Sequence, residues 1–135
     1  MIERIISGDQ EIAIIIRNSY DDEGIKFVTD PSYSQQLAYM HHQKGHEIIP
    51  HFHNRVERTV HYTQEVLVIK EGKLRVDFYH DNQEFYMSKV LEAGDIILLC
   101  AGGHGFEVLE EVKMVEIKQG PYIGEQDKTR FERKK

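Results

Sequence analysis

Two histidines one residue apart, His51 and His53, are the positions in this 135-residue chain best suited to chemistry. Side chains alternate faces along extended backbone, so a His-x-His pair presents both imidazoles on one side, close enough to hold one cation. Glu65 follows downstream, and a carboxylate on a neighbouring strand can supply a third donor. His104, in the run Ala101-Gly102-Gly103-His104-Gly105-Phe106, can supply a fourth. Three imidazole nitrogens and one carboxylate oxygen form a donor set for a first-row divalent metal. Glu65 opens the run Glu65-Val66-Leu67-Val68-Ile69, apolar on both faces, so its strand is expected to be central. A charge buried there needs a partner, and a metal is one.

Between His53 and Glu65 lie 11 residues, Asn54 to Gln64, with a β-branched second half. If the strand carrying Glu65 begins near Thr59, period-2 alternation puts Thr59, His61, Thr63 and Glu65 on one face. His61 would then stand roughly 13 Å along the strand from Glu65, as a candidate catalytic acid/base rather than a direct ligand. Arg55 or Arg58 could meet an anionic substrate group. The bland alternative is a longer solvent hairpin. Cys100 has no basic neighbour in sequence and reads as a buried, inert thiol. His41, His42, His46 and His80 read as surface or turn histidines.

The elements that must position these groups are short strands. Ile12 to Arg17 and Ile25 to Val28 flank an acidic turn, and Gln35 to His42 is a further extended run. Glu65 to Ile69 leads through an expected tight turn at Lys70-Glu71-Gly72-Lys73 into Leu74, Val76 and Phe78, which alternate with Arg75 and Asp77. Asp81-Asn82 is expected to turn the chain through positive φ. Gly94-Asp95 precedes Ile96 to Leu99, and Glu110-Glu111 separates His104–Leu109 from Val112–Lys118. Turn signals about every 8–12 residues are the pattern of a sandwich or barrel. No amphipathic helical period persists, apart from a short turn expected near the end, and Glu125 to Lys135 reads as a solvated, charged tail.

Size and composition narrow the classes. One domain is expected, with residues 1–34 as N-terminal strands of the same unit, 35–120 as the barrel core and 121–135 as the tail. Charged residues make up 30% and the net charge is −6, without a basic cluster before the last residues, which argues against nucleic acid. A single cysteine rules out an internal disulfide. No apolar run approaches the roughly 20 residues of a membrane span and the N-terminus lacks a signal-peptide core, so a cytoplasmic protein is expected. The apolar run Ile12, Ile14, Ile15 and Ile16 would be an association hazard if uncovered, which suggests a homodimer.

Gly45, His51, His53, Glu65 and Gly72 resemble the first motif of the cupin superfamily in every interval except the gap before Glu65, which is longer here. Gly94 and Gly102 resemble the second motif. Cys100 stands at its proline, His104 comes one residue early, and Val108 occupies its asparagine position. The resemblance covers Gln35 to Gln119. It implies an all-β double-stranded β-helix, a jelly-roll-like barrel whose mouth holds one divalent metal, commonly Mn, Fe, Ni or Zn. Small cupins also resemble one another in pairing through N-terminal strands.

Three functions follow as expectations. The first is a metal-dependent isomerase, lyase or dioxygenase acting on a small oxygen-rich metabolite, a sugar or a keto or hydroxy acid. The second resembles the metal-free cupins that isomerise nucleotide-linked keto-sugars, with His51 or His53 as acid/base. The third is a non-catalytic small-ligand-binding cupin. Fold alone does not choose among them.

Overall fold

The computed structural model describes residues 1–133. Strands β1 (Ile2–Ser7) and β2 (Gln10–Ile16) form an antiparallel hairpin. Strands β3 (Gly24–Phe27) and β4 (Ala38–His41) pair in a separate two-stranded sheet. The remaining strands are β5 (Glu65–Tyr79), β6 (Phe85–Glu92), β7 (Ile96–Leu99) and β8 (Gly103–Lys118), followed by a 3₁₀ turn at Gly124–Asp127. The main sheet runs β1-β2-β7-β5-β6, with β8 paired to β5. The protein is all-β, and this sheet curls strongly into a half-barrel. Among the described residues no helix is long and apolar enough to cross a membrane.

The curl originates in β5. A tight turn is expected at Lys70–Lys73, but β5 runs through it as one 15-residue strand. Its first part pairs β7 and its second part pairs β6, while β8 accompanies both. That continuous partner is what overrides the local turn signal. The ladder is irregular at the bend, with register shifts between Ile69 and Leu74. Each such shift alters which residues face inward. Leu67 and Ile69 before the bend, and Leu74, Val76 and Phe78 after it, therefore share one core with Ile12, Ile15 and Ile97. The odd–even pattern switches across the bend, so Asp77 and Tyr79 lie on the opposite face.

Gly72 makes the bend possible. Its φ is +89°, and a Cβ there would lie 1.9 Å from the Glu111 carbonyl oxygen. Only hydrogen fits between the two strands at this point. Glu110-Glu111, expected to separate two strands, instead lies within the single 16-residue β8.

Three other expectations change. The positive φ after β5 falls on Gln83, at 72°, rather than on Asp81 or Asn82. Strand β2 lies between β1 and β7, and Ile12, Ile14 and Ile15 are fully buried, so this apolar strand is covered within the chain rather than left open. The C-terminal segment is not simply solvated, because Phe131 packs against Tyr79 and Arg133 reaches Asp77. The Gly94-Asp95 turn is as expected. The buried Asp95 carboxylate accepts from the Asn18 and Glu92 amides, each at 2.8 Å, and pairs with Arg17 at 3.0 Å.

Candidate functional site

Glu65 begins β5 and His104 lies near the start of β8, yet His104 Nε2 is 2.8 Å from Glu65 Oε1. In the β5–β8 ladder Glu65 pairs with Lys118, whereas His104 pairs with Phe78 at the far end of β5. Contact between residues so far apart along one ribbon requires the ribbon to fold back on itself, which the bend at Gly72 provides. Register places both side chains on the inward face. Glu65 shares the parity of Leu67 and Ile69, and His104 that of Phe78 and Phe106.

Two further residues join them. Glu116 and Lys118 stand opposite Leu67 and Glu65, and so face the same way. Lys118 Nζ lies 3.6 Å from Glu116 Oε2, and the Glu116 carboxyl hydrogen-bonds to Glu65. The hydrogen bond from His104 pulls the Glu65 pKa down to about 2, against desolvation. Glu65 in turn pushes the Glu116 pKa up. A carboxylate only accepts hydrogen bonds, so beside ionised Glu65 the His104 Nε2 carries the proton. The pair's environments thus diverge, with Glu65 holding charge and Glu116 favouring its proton. Sequence reading missed Glu116 and Lys118, although Met114-Val115-Glu116-Ile117-Lys118 alternates charged and apolar residues. That alternation was the available signal.

His51 and His53 form a second pair. Their ring centroids are 5.4 Å apart, edge to face. They lie in residues 42–64, which carry no strand or helix, and both are exposed. His51 Nδ1 is 2.8 Å from the Ile49 carbonyl oxygen. That carbonyl can only accept, so Nδ1 carries the hydrogen and neutral His51 keeps its lone pair on Nε2. This is the tautomer a metal-ligating histidine uses. The structure therefore presents the four expected donors as two pairs. Among the described residues no three histidine, cysteine or carboxylate side chains converge as a metal-holding group.

The strand expected from Thr59 to Glu65 begins only at Glu65, so alternation does not place His61. Side-chain bonds occupy the preceding backbone instead. Gln119 accepts from the Gln64 amide and donates to the Tyr62 carbonyl, and Thr63 bonds Asp127. His61 is exposed and lines a cleft of about 340 Å³ between this stretch and residues 118–128. Lys118 lines the same cleft and links it to the Glu65–Glu116 cluster. Cys100 is buried, and its thiol pKa is raised to about 12 by desolvation, in keeping with an inert role.

Compared with protein-family models, curated proteins and solved structures, the chain matches none.

Proposed function

We propose that this chain is a metal-binding β-barrel protein of the cupin type that acts on a small oxygen-rich metabolite. The observation that carries the reading is the Glu65–His104 contact at 2.8 Å. It joins one candidate donor from each motif region across the half-barrel. The His51 tautomer supports it, because a lone pair is already directed off Nε2. Glu65, His104, His51 and His53 would hold one divalent ion of the Mn, Fe, Ni or Zn kind, and the ion would polarise a bound carbonyl or carboxylate. The reading requires the exposed His51–His53 pair to approach the Glu65–His104 pair.

The protein's own groups perform the proton chemistry. With the ion bound, His104 Nε2 would give up the proton it shares with Glu65 so that both face the metal, and Glu116, whose pKa Glu65 pushes up, would be the adjoining carboxyl placed to hold a proton. Lys118 supplies positive charge for an anionic substrate group, and His61 lines the cleft through which such a substrate would extend.

A second reading uses the same pair without metal. Because His104 Nε2–H already donates to Glu65, the two form a histidine–carboxylate dyad in which His104 would act as acid/base, the role that the resemblance to the metal-free cupins gives to a histidine. This moves the acid/base role from His51 or His53 to His104.

Metal-free protein titrated with Zn²⁺ and Mn²⁺, with bound metal counted by elemental analysis, separates the readings. We expect about one ion per chain, lost in the His51→Ala/His53→Ala double variant and retained in His80→Ala. Stoichiometric metal in the double variant would rule out the His51–His53 donors. A wild-type protein that takes up none would leave the metal-free dyad.

A further inference from the structure

We propose that the C-terminal segment is a latch, with Phe131 and Arg133 as positioning residues that hold His104 toward Glu65. Two glycines flank His104. Gly103 and Gly105 pair with Tyr79 and Asp77 of β5, on the face opposite His104. A Cβ at Gly103 would lie 2.9 Å from Phe131 Cζ, and one at Gly105 would lie 3.4 Å from Arg133 Nη2. These glycines are thus a seat for the tail. In sequence they read only as loop chemistry.

The seat is specific. The Phe131 ring meets Tyr79 edge-on, with centroids 5.1 Å apart. Such aromatic pairs contribute beyond the area they bury. Arg133 Nη1 lies 3.1 Å from Asp77 Oδ2, and Nη2 donates to the Phe106 carbonyl at 2.8 Å. Asp77 has no exposed surface and also accepts from Arg75 Nε at 2.8 Å and Ser88 Oγ at 2.6 Å. The tail is therefore tied to a fixed anchor as well as to the strand bearing His104.

Strand β8 needs such a hold. Among the described residues it pairs only with β5, so its other edge has no ladder partner. An end of such a strand opens at lower free energy than a strand paired on both sides. Phe131 and Arg133 clamp Gly103 to Phe106 from the outer face, and His104 points inward from the middle of the clamped stretch. Releasing the latch frees that backbone, and the Glu65 contact loses its geometry. The effect on metal rests on the function proposed above; the effect on His104 does not.

The test uses the full-length Phe131→Ala/Arg133→Ala variant. Gly103→Ala displaces Phe131 from the other side. Arg130→Ala, which removes the ion pair with Glu125, serves as a tail control, and Ile14→Val is a core control that loosens the fold elsewhere. In metal-free protein we expect faster amide exchange at Gly103–Phe106 and loss of the His104 Nε2–H resonance in both latch variants but neither control. With Zn²⁺, affinity should fall about 10–100-fold in the double variant, as for other groups that orient a ligand from behind. Unchanged exchange and an unchanged His104 resonance in the double variant would overturn the latch. So would equal changes in Ile14→Val, which would mark the effect as general loosening. A wild type that binds no Zn²⁺ would sink the metal function alone, because the exchange measurement still decides the latch.

Discussion

Replacing Gly72 with alanine tests whether the bend in β5 builds the site. Two costs separate cleanly. Placing an L-residue in left-handed backbone costs about 1–2 kcal/mol. Gly45 has almost the same φ, +90° against +89°, with nothing within 4 Å of its would-be Cβ, so Gly45→Ala isolates that conformational cost. Gly72→Ala adds a collision, with its Cβ 1.9 Å from Glu111 O, 2.7 Å from Glu111 C and 2.9 Å from Val112 Cα. Carbon atoms normally rest about 3.5–4.0 Å apart, so β5 and β8 must separate by more than about 1 Å. Backbone hydrogen bonds near the Glu71–Lys113 and Lys73–Glu110 pairings would not survive that opening. Two or three of them, at about 1 kcal/mol each, bring the total to about 3–5 kcal/mol. That is a large share of the roughly 5–15 kcal/mol that holds an ordinary domain together. Urea unfolding of wild type, Gly45→Ala and Gly72→Ala, with slopes compared for two-state behaviour, measures the difference. If Gly72→Ala costs no more than Gly45→Ala, the strands are not in contact at the bend, and the Glu65–His104 geometry built on it is wrong.

Other consequences are simpler to check. Cys100 should resist Ellman's reagent in native buffer and react fully in denaturant, because it is buried with a pKa raised to about 12. Glu65 has a folded pKa depressed to about 2 from its usual 4.5, so its contribution to stability is present above pH 4.5 and lost as pH falls toward 2. Urea midpoints should therefore drop across that window, and Glu65→Gln should flatten the drop. Asp95→Ala should cost about 2–4 kcal/mol in the same assay, since it leaves two backbone amides and the Arg17 guanidinium without their acceptor.

What the chain's residues revealed locally and what they concealed divide along one line. Strand content and most turn positions were readable because they depend on alternation and on glycine or aspartate at the turns, as at Gly94-Asp95. The bend was not, since Lys70-Glu71-Gly72-Lys73 has the composition of a hairpin turn. What makes it a bend is β8 continuing alongside both halves of β5, and that partner lies more than thirty residues away in the chain. The same limit applied to the cover over β2. An isoleucine-rich β2 looks like an uncovered edge until β1 and β7 are seen on either side of it.

The candidate site shows this division most sharply. Motif spacing picked out Glu65 and His104, and the fold brings them into contact although nothing local links them. Spacing also picked out His51 and His53, two residues apart, whose rings lie 5.4 Å from each other although the segment carrying them is not a strand. Joining the two pairs is long-range again, and it depends on what residues 42–64 pack against. Glycine was hardest to interpret. Gly72, Gly103 and Gly105 all read as turn residues, yet each meets a segment distant in sequence: Glu111 for the first, Phe131 and Arg133 for the others. A missing side chain states that something must come close without saying what. The partner is legible only after the chain has folded, and here the partners of all three glycines govern where Glu65 and His104 can sit.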